Sequence, residues 1–319
     1  MSTQQHPFVS LIIPTYKRDE PLLLTISGML GQDYPRERYE IIVVDQTESH
    51  TEEVQRQMEA WEKEGLITWF RPPQISFAAT TKARNWGVAH ATDPEIIIFT
   101  DDDVEVEGGF IQAHVAAYTS GDIGAVAGKV IVPTHEYDPT AKTVGKITWM
   151  GDFVNNFHVD FPADVDNLIG CNFSLRASTV REAGLFDERF RGNAMREETD
   201  WAVRLREAGY RIRYVPETHL LHHMVAAGGS RAVSERIRWY EDLFFNNFLF
   251  YGKHAPSWRI PFFVMHMARP ILACWLVYGK GRPSAFLAPW RGIRAGLSAA
   301  KLSQKEGTAT VQNPRLRVF

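Results

Sequence analysis

Ile96-Ile97-Ile98-Phe99-Thr100-Asp101-Asp102-Asp103 is the stretch on which the reading of this chain turns. Four large apolar residues in a row, three of them β-branched, predict a strand buried on both faces rather than on one. Such a strand belongs to a sheet held between helices, because each face needs its own apolar cover. The three carboxylates that end it then stand at its carboxyl end, where open α/β sheets bind their ligands. Adjacent like charges repel, so at least one of the three stays protonated unless a cation is near. A divalent ion such as Mg2+ or Mn2+, which favours oxygen ligands, removes that penalty. The competing reading is a solvated turn in which Asp103 caps a following helix.

The flanking sequence repeats the pattern. Residues 8–14 (FVSLIIP) predict a strand stopped by proline, residues 39–44 (YEIIVV) a second ending at Asp45, and residues 66–70 a third. Helical spacing fills the intervals at 22–30, 51–63 and 78–91. Beyond the acidic run, residues 125–132 predict another strand and 133–167 a loop-rich passage. Residues 178–183 and 197–208 predict helices, and 210–215 (YRIRYV) alternate like a half-exposed strand. The fold class is therefore α/β: a mostly parallel, Rossmann-like sheet with helices on both faces, followed by a helical C-terminal extension. No G-x-G-x-x-G follows the first strand, which argues against a dinucleotide-dependent dehydrogenase.

Composition narrows the partners. Of 319 residues, 45% are hydrophobic and 23% charged, enough to bury a sizeable core and too apolar for disorder. The formal net charge of −3 argues against a nucleic-acid partner, but it hides a split. Residues 252–319 carry eleven Lys or Arg against the single acid Glu306, so this region is +10 and the remainder −13. Such asymmetry predicts a basic surface for an anionic partner. Cys171 and Cys274 are too few for a disulfide framework and point to a reducing compartment. Residues 1–17 lack the basic-then-apolar pattern of a secretory leader, so the expected location is cytoplasmic.

Taken in order, IIPTYKR (12–18), VVDQTES (43–49), KARNWGVAHA (82–91), IIIFTDDDV (96–104), GCNFSLRAS (170–178), GLFDERF (184–190), EETDWAVRLREAGYRIRYVPE (197–217) and HLLHH (219–223) form an ordered set. The set resembles the inverting glycosyltransferases of family 2, which have the GT-A fold, from about residue 7 to residue 230. The resemblance implies a GT-A catalytic domain over 1–235, with a nucleotide-sugar half (about 1–132) and an acceptor half (about 133–235). Residues 236–319 then form a separate basic, partly apolar region. It also implies sugar transfer from a UDP-, GDP- or dTDP-linked donor to a glycan or lipid-linked hydroxyl, in cell-surface or exopolysaccharide synthesis. Two other classes share these features: a nucleotidyl- or phosphotransferase using the same acidic strand end, and a catalytically silent nucleotide-binding scaffold.

Residue by residue, the resemblance maps the family's D-x-D motif onto Asp101 and Asp103, with Asp103 on Mg2+ or Mn2+ and Asp101 beside the ribose or a metal-bound water. Asp102, between them, joins the donor-binding set. Pro14, Tyr16 and Asp45 map onto the nucleoside pocket, although Gln46 stands where family members often carry a second acid or Asn. Arg84, followed by Asn85, has two readings: neutralising phosphate, or tying down the acidic cluster. Gly170, Asn172 and Arg176 match a G-x-N-x-x-x-R element on the sugar and acceptor side, with Trp149 and Asp152 in the preceding loop as candidates to flank a sugar face.

The helix over 197–208 supplies the candidate base. Trp201, Ala202 and Leu205 lie three, four and seven residues beyond Glu198, which places Glu198 on the inward stripe and Glu197 off it. The family commonly reads E-D-x-D-L here, and its second residue deprotonates the acceptor hydroxyl. Glu198 occupies that place with one extra methylene, while Asp200 is expected to orient the helix on the acceptor side. Adjacent His222 and His223 point opposite ways in an extended segment, so only one reaches the site. The resemblance makes His222 that metal ligand, and Gly228-Gly229-Ser230 read as a mobile lid.

Residues 260–278 contain fifteen apolar side chains in nineteen positions, close to a membrane span in length. Arg269 and Pro270 at the centre disfavour crossing. The segment reads instead as interfacial or re-entrant at the inner face of the cell membrane, with Arg259, Lys280 and Arg282 facing anionic lipid. The alternative is a helix packed on the catalytic body.

Overall fold

The structure is a computed structural model that describes residues 6–72, 79–148, 151, 153–229, 236–278 and 282–305. Four parallel strands form its first half: β1 (Val9–Thr15), β2 (Tyr39–Asp45), β3 (Thr68–Phe70) and β4 (Ile96–Thr100), in the order β3-β2-β1-β4. Helices α1 (Glu20–Leu30), α2 (Glu52–Lys63) and α3 (Thr80–Ala89) make the crossovers. Because strand side chains alternate, Ile12, Ile42, Val44, Ile97 and Phe99 enter one apolar core. Leu11, Ile13, Ile41, Val43 and Ile98 enter a second core on the opposite face. The sheet is covered on both sides, as continuous apolar strands require.

The second half is mixed. β5 (Val104–Glu105), α4 (Phe110–Ala116) and β6 (Ile123–Ile131) follow, then the short ribbon β7 (Lys146–Ile147) and β8 (Phe153–Val154). After β9 (Ala163–Val165) comes β10 (Asn172–Arg176), which runs antiparallel between β4 and β6 and joins the halves into one nine-stranded sheet. Helices α5 (Ala177–Ala183) and α6 (Glu197–Glu207) precede β11 (Arg211–His222), which is parallel to β6. β11 is longer than the 210–215 its alternation predicts. Pro216 has no N–H for the ladder, and the register shifts between Val215 and Leu220 before pairing resumes. The resumed end pairs His222 with Val104 on β5, next to the acidic run.

A third core lies in the C-terminal helices. α7 (Arg236–His254) is buried along most of its length, and α10 (Pro283–Lys305) packs against it. Phe190 and Met195 from the catalytic body join this core. α7 thus packs on the body, and of residues 260–278 Phe263, Met267, Ile271 and Cys274 enter the same core while Met265, Leu272, Leu276 and Val277 stay exposed. Between α7 and α10, the chain runs through α8 (Ile260–His266), α9 (Ala268–Leu272) and a π-helical turn (Ala273–Tyr278). The segments Ser257–His266 and Ala268–Tyr278 meet at a bend of 53°. Among the described residues no single helix is long and apolar enough to cross a membrane, although this bent pair has the length and composition to do so together.

Glycine sets how closely α7 and α10 approach. A Cβ on Gly296 would lie 2.4 Å from the Phe245 carbonyl oxygen, and one on Gly292 would lie 2.4 Å from that of Glu241. Both obstacles are backbone and cannot rotate away. Alanine gains about 1 kcal/mol of helix propensity over glycine, but overpacking costs about 1–3 kcal/mol. We expect Gly296→Ala to lose net stability, seen as a lower urea midpoint at unchanged m-value.

Candidate active site

The acidic run at the end of β4 is met by cations from three directions. Arg18, in the loop after β1, is buried and lies 3.4 Å from Asp102 and 3.2 Å from Asp103. Parallel pairing of β1 with β4 puts that loop there. Thr15 adds a hydroxyl donated to Asp102 Oδ2 at 2.7 Å. Burial and the flanking Asp103 and Asp101 charges outweigh both partners and push the Asp102 carboxyl up to about 7. Burial first, and the neighbouring carboxylates second, thus move the titration of this one member of the triplet toward neutrality.

His222 approaches from β11. Its Nε2 lies 3.1 Å from Asp103 Oδ1 and 3.8 Å from Asp101 Oδ2. Burial alone would lower its pKa, but Asp103, Cys171 and Asp101 outweigh burial and hold it at about 11. Burial would likewise raise Asp103, yet His222, Arg18 and the Val225 N–H bring it down to about 2. His223 faces the other way, within 3.2 Å of Glu105. The alternation read from the sequence therefore separates the two histidines as expected.

Arg84, on α3, takes the tie-down role. Its Nη1 donates to Glu197 in a very close pair, its Nη2 donates to the Gly170 carbonyl at 2.6 Å, and Asp101 Oδ1 is 3.8 Å away. Phe99, Phe173 and Phe186 surround the guanidinium, and it is almost wholly buried. Asn85 clamps the loop after α5, accepting from the Phe186 N–H and donating to its carbonyl. Asp101 alone keeps an open carboxylate, with 37% of its side chain exposed.

A cleft of about 70 Å3 opens here between Pro14, Tyr16, Arg18, Gln46, Thr80 and the three aspartates. Gly229 lies over it, donating its N–H to the Tyr16 carbonyl at 2.7 Å. Arg18 donates to the Val225 carbonyl at 3.0 Å, and the Val225 N–H donates to Asp103 at 2.9 Å. A Cβ on Gly228 would lie 2.2 Å from the Lys17 carbonyl, so only glycine allows this segment to seat so closely. The segment expected to be a lid is docked on the cleft up to Gly229, and Ser230 lies outside the described residues.

Several expectations need correcting. Asp45, expected to bind a base, has no exposed side-chain surface, and its oxygens accept from Thr47, His50 and Trp69. Gln46 lines the cleft instead. Asn172, expected on the acceptor side, is buried, donating to the Lys129 and Thr218 carbonyls and pairing with His114. Arg176 pairs in register with Ile96, whereas Asn172 pairs with Thr100, so Arg176 sits about 13 Å away toward the opposite end of β4. There it donates to the Ile123 and Ser120 carbonyls. Gly170 contributes its carbonyl to Arg84. Trp149 and Asp152 lie outside the described residues.

The helix-phase argument also needs revision. Glu197, placed off the inward stripe, is the more buried of the two glutamates, because Trp201 and Leu205 follow it at i+4 and i+8 and Arg84 needs a carboxylate. Glu198 is the uncommitted one. Among the described residues, its side chain meets only a long 3.5 Å approach from the Thr199 hydroxyl. Desolvation and the Asp101 charge raise its pKa against the pull of Arg196 and Arg84. Asp200, fully buried, binds Arg204 at 3.0 Å, Lys253 at 2.5 Å and His254 at 2.8 Å, and these partners hold its pKa well below the carboxylate range.

Arg18, Cys171 and Glu197 escaped the sequence reading. Arg18 had a signal, since three buried carboxylates demand a cation and IIPTYKR ends in one. Ligand atoms of Asp101, Cys171 and His222 all lie within 4.8 Å of one another, a geometry that could hold a metal ion. Cys171 is a buried thiol with a raised pKa, which suits a hard cation poorly. Asp101, Asp103 and the nitrogen of His222 facing both are the better donor set.

The geometry agrees with the comparisons. The model of glycosyl transferase family 2 matches residues 10–183, and the chain belongs to that family. It is 24% identical over 251 residues to the O-antigen biosynthesis protein RfbC of Myxococcus xanthus, covering 73% of this chain and 18% of that protein. Over 238 residues it is 24% identical to the glycosyltransferase AglE of Haloferax volcanii, covering 74% of this chain and 71% of that one. The chain spans about half or less of most of the curated relatives it matches. Its fold is that of the mannosyltransferase PcManGT from Pyrobaculum calidifontis, solved with GDP-Man and Mn2+. The TM-score is 0.54 at 18% identity, over 98% of this chain and 83% of that one.

The His222–Asp103 pair has a defined pH signature. A raised histidine pKa stabilises fully below its ordinary value of about 6.5, and that contribution is lost as pH rises toward 11. We expect His222→Gln to be less stable than wild type at pH 6. The gap, followed by urea unfolding of metal-free protein, should narrow by up to about 1.4 kcal/mol per pH unit above 6.5.

Proposed function

We propose that this chain is a metal-dependent inverting glycosyltransferase acting in cell-surface or exopolysaccharide synthesis at the inner face of the cell membrane. The observation that carries the reading is the division of carboxylates around one cleft. Asp102 and Glu197 are tied to arginines, Asp101 is open beside His222, and Glu198 is uncommitted with a raised pKa. Pro14, Tyr16 and Gln46 line the nucleoside end. At about 70 Å3 the cleft is far below the roughly 300–1,000 Å3 of a small-molecule pocket, so donor entry requires Val225–Gly229 to lift.

Asp101, Asp103 and His222 would hold the cation, and an imidazole in the set favours Mn2+ over Mg2+. When bound, such an ion supplies positive charge to the departing diphosphate. Glu198 takes the proton of the acceptor hydroxyl as its oxygen bonds to the anomeric carbon. The bond from that carbon to the diphosphate oxygen breaks on the opposite face, which inverts the configuration. The raised pKa brings the Glu198 carboxylate closer to the basicity that a general base needs near neutral pH. PcManGT, with GDP-Man and Mn2+, and TarS of S. aureus, with UDP-GlcNAc, make GDP- and UDP-sugars the first donors to screen.

A thermal-shift screen of nucleotide sugars with Mn2+ should identify a stabilising donor. Glu198→Gln should then cut release of nucleoside diphosphate about 10²–10⁴-fold while leaving donor affinity intact. Loss of donor binding, or release of pyrophosphate by wild type, would overturn the assignment.

The metal set has its own test. His222 is protonated at neutral pH, so ligation must expel a proton. Calorimetry of Mn2+ binding in two buffers at pH 7 should show about one more proton released per ion from wild type than from His222→Gln. Equal release from both would exclude His222 as a ligand.

A further inference from the structure

Away from the cleft, α7 and the start of α10 enclose a cavity of about 650 Å3. Five guanidiniums line it: Arg191, Arg236, Arg238, Arg282 and Arg291. Among the described residues only two carboxylates face them. Asp242 pairs with Arg191 at 2.9 Å and Glu241 with Arg291 at 2.8 Å. Among the described residues Arg236 and Arg282 have no carboxylate partner, and Arg236 instead lies 5.3 Å from the Tyr278 ring. An excess of three positive charges in a concave site selects an anion, and forked guanidiniums match phosphate geometry.

The rim identifies the kind of anion. Immediately before the 279–281 stretch, Leu276 is 70% and Val277 58% exposed; just after Arg282, Leu287 is 55% exposed and Phe286 and Trp290 are open as well. Farther along the bent pair, Met265 and Trp258 are also exposed. A free phosphate or nucleotide has no use for such apolar surface, whereas a lipid has both a charged head and chains to lay on it. Aromatic residues beside basic ones are the pattern of a membrane interface.

We propose that this cavity binds the phosphate headgroup of an anionic membrane lipid, with the acyl chains lying against Leu276, Val277, Phe286, Leu287 and Trp290. The site gives the membrane reading specific residues and is independent of the transfer chemistry.

The test is calorimetric titration of the full chain with dihexanoyl phosphatidylglycerol below its micellar concentration. Saturable binding of one lipid per chain is expected. Dihexanoyl phosphatidylcholine and glycerol 3-phosphate should each bind at least tenfold more weakly. Arg236→Gln with Arg282→Gln should weaken phosphatidylglycerol about 30-fold, from about one factor of five per cation. Arg269→Gln with Arg294→Gln, outside the cavity lining, should leave it unchanged. Equal binding of glycerol 3-phosphate would make this a free-phosphate site, and equal binding of phosphatidylcholine would leave no headgroup recognition; either overturns the proposal. Flotation with equimolar phosphatidylcholine–phosphatidylglycerol vesicles separates the remaining case. A cavity variant that floats like wild type would refute the cavity while leaving membrane association standing.

Discussion

Burial of charge at the end of β4 is the constraint around which the rest of the molecule is arranged. An uncompensated buried ion costs several kcal/mol, so Asp103 and Glu197 can be buried as carboxylates only if cations reach them, while burial pushes the Asp102 pKa up despite Arg18. Those cations come from distant parts of the chain. Arg18 arrives because β1 and β4 are parallel neighbours, and Arg84 because α3 leads into β4. His222 arrives because the end of β11 pairs with β5 immediately after the acidic run. Each delivery depends on a different pairing of the sheet. The cluster therefore forms only when the sheet is complete, and the open carboxylate of Asp101 is what remains after the others are satisfied.

β10 has a corresponding part. Running antiparallel between β4 of the parallel first half and β6 of the mixed second half, it follows directly on Gly170, which meets Arg84, and Cys171, which lies beside Asp101 and His222, and it carries Arg176 away from them. Asn172 joins β6, β11 and α4 by bonding to Lys129, Thr218 and His114. A Cβ on Gly128 would lie 2.3 Å from the Asn172 amide, so the fit depends on a glycine across the strand. The G-x-N-x-x-x-R element thus holds the sheet together behind the site, and its first residue alone reaches the acidic cluster's cations.

What could be read from the sequence followed from local rules. Continuous apolar strands, helical periods and an acidic strand end are visible within ten residues, and they placed β1 to β4, Asp101 and Asp103, whereas His222 was singled out by the resemblance. What could not be read depended on a third party. Asp45 looked available until the fold brought His50 and Trp69 to it, and Glu197 looked peripheral until Arg84 claimed it. Arg176 shares a motif with Gly170, but six residues separate them and Arg176 lies opposite Ile96, at the far end of β4 from the acidic run. The close α7–α10 contact was hidden for a related reason. Gly292 and Gly296 read as weak helix formers in isolation, and only the facing carbonyls of Glu241 and Phe245 make them necessary.

The same logic ties the C-terminal helices to the chemistry. Asp200 lies two residues beyond Glu198 on α6, and two of its three partners, Lys253 and His254, come from the end of α7. Lys253 also reaches Asp187, in the loop that Asn85 clamps through Phe186. At the other end of that loop, Arg191 is held by Asp242 of α7 and lines the arginine cavity. One helix therefore anchors both ends of the passage leading to Glu198 and forms a wall of the proposed lipid site. Anything that shifts α7 at the cavity must be absorbed either by these buried ion pairs or by the helix that carries Glu198. Buried pairs lose several kcal/mol when a partner is withdrawn, so the contacts that join α6 and the 184–196 loop to α7 resist separation. Catalytic body and basic extension, opposite in charge, are joined by a shared apolar core and by buried ion pairs.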